Sequence, residues 1–145
     1  MDDVARKFVG AWRLVSAVEQ LADGTERTQP RYGSGGIGYI LYSDTGRVCV
    51  VNIDPARPRW ANESVPTETE LRSAMRGIMA YAGRYEVNAE EGYILHHIEV
   101  DAVPNRVATT AKRFFEFTGN RLILRPAPPL PSGVLDYRIT WERVI

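Results

Sequence analysis

The sequence predicts an all-β fold: an eight-stranded antiparallel up-and-down barrel in a single domain over residues 1–145, with one helix between the third and fourth strands near the open end. Three observations predict it. The chain reads mostly as short alternating or apolar runs broken by Gly, Pro, Asp and Asn, which mark strands and turns. The connections then sort by length: with strands running up and down, "SDTG", "AEEG" and "TGN" fall at one end, and 23–35, 54–81, 103–109 and "PAPPLPSG" all fall at the other. Eight such strands close naturally into a barrel, which leaves no exposed sheet edge. The expected shape is a cup with a tight-turned floor and a loop-rich mouth.

The strands are expected near 11–22, 36–42, 47–53, 82–88, 93–102, 110–118, 121–125 and 134–144. The helix falls in "PTETELRSAMRGIMAY", where Thr67 and Glu70 form a capping box and Leu71, Met75, Ile78 and Met79 make one apolar stripe. Such a stripe normally packs on the body, and its methionines would also suit a lid.

Charge and composition exclude several function classes. Eighteen basic residues balance eighteen acidic ones without a run of either sign, so there is no electrostatic footprint for nucleic acid or an anionic membrane. No apolar run approaches the ~18 residues of a membrane span, and "MDDVARKFVG" has acids where a secretory leader carries basic residues. A cytoplasmic protein is expected, and one cysteine, Cys49, fits that compartment as a buried structural thiol. The partner expected is a small-molecule ligand or substrate. A homodimer is left open.

The only two histidines stand side by side in "GYILHHIEVD". Successive strand residues point to opposite faces, so they cannot share a pocket. Ile94, His96, Ile98 and Val100 form the more apolar face and should point inward. His97 should lie outside among acids. His96 is placed about 10 Å above the floor at ~3.3 Å per residue. In "KRFFEF", Arg113, Phe115 and Phe117 take the inward face, about 16 Å up for Arg113 by the same count. An arginine inside a barrel is costly unless paired, which makes Arg113 informative. The two share a cavity if paired positions of their strands sum to an odd number, the register assumed here.

Further lining candidates are Tyr85, Asn52, Tyr39 or Tyr42, and Tyr137. Convergent polar tips on an apolar wall are how ligand pockets are built, and these suit a carbonyl, phenol or carboxylate. Other signals fail on context. "GSGGIG" matches a dinucleotide glycine pattern but precedes a strand, so it offers no helix N-terminus to a phosphate and reads as a mouth loop. No metal site is expected, since there is no Cys pair and only one interior His, and no cofactor is expected. No nucleophile elbow is present.

"FVGAWRLVSA" near the start and "DYRITWERVI" at the end resemble the calycin superfamily of lipocalins and fatty-acid-binding proteins. The resemblance implies that Trp12 closes the floor and that Arg143 packs over its face as a cation–π pair, and the up-and-down strand order independently puts Trp12, Trp141 and Arg143 at the tight-turn end. More narrowly, "GAWRLVSA", "GYILYSDTGRVCV", "HHIEVDAVPN", "KRFFEFTGNRLIL" and "TWERV" are similar to the short intracellular lipocalin-like domain family, over nearly the whole chain. After Pro104-Asn105 that family continues with an aromatic and a glycine; this chain has Arg106, Val107 and Ala108.

Two functions follow as expectations. The first is binding of a small, largely apolar molecule whose polar or anionic group is read by His96 and Arg113. The second is a cofactor-free isomerase, cyclase or lyase on a natural-product-type substrate. There His96 would serve as general acid or base and Arg113 as the anion stabiliser.

Overall fold

The computed structural model describes residues 1–145. Nine strands form one sheet: β1 (Gly10–Leu21), β2 (Glu26–Thr28), β3 (Ile37–Tyr42), β4 (Arg47–Ile53), β5 (Ile78–Asn88), β6 (Tyr93–Asp101), β7 (Thr110–Thr118), β8 (Arg121–Pro126) and β9 (Val134–Arg143). All pair antiparallel with their neighbours, and β1 also pairs with β9, which closes an eight-stranded barrel from β1 and β3–β9. The short β2 is an extra hairpin arm, laid on Val18–Gln20 of β1. The tight turns 43–46, 89–92 and 119–120 stand at the floor.

Two helices complete the chain, α1 (Asp3–Phe8) and α2 (Glu68–Arg76). Six residues of α1 give too little periodicity to read from sequence. Asp2 caps it by accepting the Ala5 N–H at 2.7 Å, and Phe8, fully buried, plugs the floor edge-on to Phe115 and Phe117. Trp12 donates its indole N–H to the Phe8 carbonyl at 2.8 Å. The Arg143 guanidinium lies 4.2 Å from the Trp12 ring centre and donates to the Val9 carbonyl at 2.9 Å. Gly10 allows this: its φ is +125°, and a Cβ there would stand 2.9 Å from Arg143 Nη1. Trp141 is buried at the same end.

Helix α2 has the expected capping box on Thr67 and Glu70 but stops at Arg76. Ile78 and Met79 belong to β5, because Gly77 ends the helix and the backbone there joins the β4 ladder. The four-residue stripe is therefore divided. Leu71 and Met75 are exposed, and no residue of α2 is buried.

Two bulges alter which side chains face inward. On β1 the register shifts between Leu14 and Ser16, so Trp12 and Leu14 point in, followed by Ala17 and Glu19. On β6 an extra residue sits opposite Ala82 and Gly83, which turns Val100 outward, at 60% exposure. Cys49 is likewise exposed, not buried, because the inward positions of β4 are Val48, Val50 and Asn52. No helix is long and apolar enough to cross a membrane.

Candidate functional site

The β6–β7 ladder pairs Ile94 with Arg113 and His96 with Ala111, both sums being odd. Inward side chains of the two strands therefore share one face of the wall, and Arg113 stands diagonal to His96. Its level differs from the count made from the turn. Strand β7 runs on past the start of β6 at the floor, as a tilted barrel requires, so Arg113 pairs one inward position nearer the floor than His96 instead of above it.

His96 is fully buried, and both ring nitrogens are occupied. Nε2 lies 2.9 Å from the Tyr42 hydroxyl and Nδ1 lies 2.7 Å from the Tyr81 hydroxyl. Burial first, and then the positive charge of Arg113, hold its pKa well below the ordinary 6.5, so the ring is neutral. A neutral imidazole and two hydroxyls carry three hydrogens between them, and the two links use two. One tyrosine hydrogen is left over at one end of this relay. His96 itself presents no free nitrogen to a ligand.

Arg113 lies against Tyr81 and in the field of Tyr42 and Tyr137. Burial works to discharge the guanidinium. A guanidinium nonetheless stays protonated in proteins, and the Tyr81 hydroxyl beside it favours the charged form. No carboxylate forms a salt bridge with it. Burial lifts Tyr42 well above the usual value of 10, and lifts Tyr32 and Tyr137 too, so these three phenols remain protonated.

Above this cluster a mouth pocket of about 200 Å³ is lined by Tyr32, Met79, Tyr137, Pro129 and Leu130, with Arg31 and Arg106 at its rim. Asn52, almost wholly buried, donates to the Tyr32 hydroxyl at 3.4 Å, and its side-chain oxygen has no partner. Glu19 is also buried here and pairs with Arg27 at 2.9 Å.

The sequence-derived residues thus fall into three groups. His96, Arg113, Asn52 and Tyr137 converge on the interior. Phe115 faces inward but packs on Phe8 at the floor, 5.0 Å between ring centres, and Tyr85 uses its hydroxyl on the Ser43 carbonyl at 2.6 Å, in the β3–β4 turn. Tyr39 points outward and is half exposed, since β3 alternates and Gly38, Ile40 and Tyr42 take the inner face. His97 faces outward as well, bonded to Thr110 at 2.9 Å and to Glu86. Tyr81 and Tyr32 were not foreseen. Tyr81 follows from alternation with Tyr85 once β5 is known to begin at Ile78. Tyr32 lies in a 3-10 turn, Pro30–Tyr32, with no periodic signal.

The sequence profile of the lipocalin-like domain family matches residues 9–144. The chain belongs to that family. A 4'-hydroxy-3'-methoxypropiophenone carrier protein of Aspergillus oryzae is 31% identical to this lipocalin-like domain over 86 residues, 54% of the chain and 78% of the relative. Among solved structures, a lipocalin-like protein of Bacteroides uniformis aligns with 95% of the chain and 99% of its own, at 13% identity and a TM-score of 0.47. A variant of the fluorescent protein UnaG aligns with 96% of the chain and 97% of its own, at 13% identity and 0.42.

Proposed function

We propose that this lipocalin-like domain binds and carries a small, largely apolar molecule whose phenol, carbonyl or carboxylate is held by Arg113 and the tyrosine relay. The observation that carries this reading is the guanidinium of Arg113 on the inward face of the wall, diagonal to His96 and without a carboxylate partner. An isolated interior cation is expensive to maintain, and an anionic or strongly accepting ligand group would compensate it. The spare tyrosine hydrogen supplies a second donor beside it. The mouth pocket, whose lining includes Tyr137 but not Arg113 itself, is smaller than the usual 300–1,000 Å³ of ligand sites, which suits a single aromatic ring better than a fatty chain. The relative named as a carrier of a phenolic aryl ketone supports the same ligand class.

Titration with 4'-hydroxy-3'-methoxypropiophenone, followed by intrinsic fluorescence, tests this. Saturable binding is expected, weakened roughly tenfold for the ketone without its phenolic hydroxyl. Equal binding of the two, or none of either, would refute the reading.

The relay also supports a second reading, cofactor-free isomerisation, cyclisation or lysis on a natural-product-type substrate. In it the acid would be the tyrosine with the spare hydrogen, since both nitrogens of His96 are engaged, and Arg113 would stabilise the developing anion. Conversion of a bound aryl ketone to a product of different absorbance would favour this over carriage, and unchanged recovery would exclude it for that substrate.

A further inference from the structure

The arginines divide by location. Of sixteen, nine form salt bridges with carboxylates, and Arg143 is engaged at the floor. The six others are Arg31, Arg57, Arg59, Arg76, Arg106 and Arg113. Arg113 is interior, and the rest surround the mouth.

Three of these meet in one place. Outside the barrel, a cleft of about 720 Å³ lies between the 3-10 turn at Pro30–Arg31, the chain after β4 at Asp54–Arg57, and α2. Arg31, Arg57, Arg72 and Arg76 line it, with Asp54 the one acid among the lining residues. Arg72 is answered by Glu68 at 2.7 Å. Four positive charges less these two negative ones leave a net of two.

The orientation of α2 gives an independent argument. A surface helix normally turns its apolar stripe to the body. Here Thr69, Arg72, Ser73 and Arg76, at helical spacing, line the open cleft, and Leu71 and Met75 are exposed as well instead of packing on the body. Such departures from the usual pattern are expected at functional sites. One of the basic side chains, Arg57, is also held in place. Arg57 donates to the Ala74 carbonyl at 3.2 Å, and its stem lies over Gly77, where a Cβ would come within 2.7 Å of Arg57 Cδ. Arg57 Nε and Arg31 Nη1 are buried without a hydrogen-bond partner, so both guanidinium groups are incompletely compensated.

We propose that this cleft is a second ligand site, separate from the barrel interior, that takes a phosphate group. A tetrahedral dianion matches the net charge and offers enough acceptors for several guanidinium forks, which a monocarboxylate does not. Arg31 also stands at the rim of the mouth pocket, but Arg57, Arg72 and Arg76 belong to this cleft alone, and the site does not depend on the carrier reading.

Calorimetric titration at low ionic strength with inorganic phosphate, phenyl phosphate and benzoate tests it. Saturable binding of at least one phosphate probe, tighter than benzoate, is expected. Phenyl phosphate binding roughly tenfold more tightly than inorganic phosphate would identify a phosphate ester, and equal affinities the free ion; both support the site. The Arg57→Gln/Arg76→Gln variant should weaken phosphate by tenfold or more. Arg76→Gln alone, at an exposed position without a hydrogen bond, should weaken it severalfold with an unchanged melting temperature. Arg113→Met should leave phosphate affinity within a factor of two. No saturation of either phosphate by about 10 mM, affinity indifferent to the cleft variants, or loss in Arg113→Met would overturn the proposal.

Discussion

His96 Nδ1 lies 2.7 Å from the Tyr81 hydroxyl, and neither side chain reaches solvent appreciably. With Tyr42 on the other ring nitrogen, the imidazole ties β3 and β5 together through β6. Replacing it with alanine leaves a void and two buried hydroxyls without their partner. His96→Ala should destabilise the fold by about 3 kcal/mol, and Tyr42→Phe by about 1–2. Urea denaturation of the two variants checks the ordering, which a solvated, unbonded His96 would not produce.

The same burial sets a pH dependence. In the unfolded chain His96 titrates at its ordinary value of 6.5, and in the fold its pKa is well below that. Above about 6.5 both states carry the neutral ring, and His96 contributes no slope. As pH falls below about 6.5 the unfolded chain takes up a proton that the folded chain refuses, so stability falls by up to about 1.4 kcal/mol per unit. The loss continues until the folded-state pKa is reached. Melts between pH 7.5 and 5.5 should show this decline in the wild type and a shallower one in His96→Gln.

At the floor, Arg143 combines the Trp12 face with carbonyls at the end of α1. Arg143→Ala should lower stability by about 2–3 kcal/mol. Arg143→Lys should recover little of it, because an ammonium lacks the planar fork that stacks and bonds together. Thermal denaturation of the pair measures both effects.

Ala108 has a φ of +66° while its N–H donates to the Ile98 carbonyl at 2.9 Å, in the loop that joins β6 to β7. A left-handed conformation strains any residue with a Cβ. Ala108→Gly should therefore stabilise by about 0.5–1 kcal/mol, against the usual cost of added glycine. Differential scanning calorimetry distinguishes a raised from a lowered melting temperature.

The barrel, its floor and the split histidines were legible because each rests on a strong local rule. Alternation alone separates His96 from His97, and the lengths of the connections place the mouth. Alternation fails where a bulge adds a residue, which is why Val100 turns outward. It is also ambiguous where both faces of a strand are apolar, as on β3, where Tyr39 and Tyr42 could not be told apart by composition. Ile78 and Met79 satisfy helical spacing with Leu71 and Met75 as well as they satisfy a strand. That ambiguity hid the start of β5 and with it Tyr81, whose hydroxyl is the partner of His96 Nδ1. Helix α2 leaves Leu71 and Met75 exposed and buries no residue, against the pattern a sequence reading relies on.

Arg113 is the point on which the carrier reading rests. Replacing an interior guanidinium that has no carboxylate partner by an apolar side chain of similar length is commonly neutral or stabilising, so Arg113→Met should fold as well as the wild type or better by up to about 2 kcal/mol. The decisive measurement is the affinity of this variant for 4'-hydroxy-3'-methoxypropiophenone beside that of the wild type. A loss of tenfold or more with stability kept or raised is the predicted result. Undiminished binding in the stable variant would contradict the placement of the ligand against Arg113.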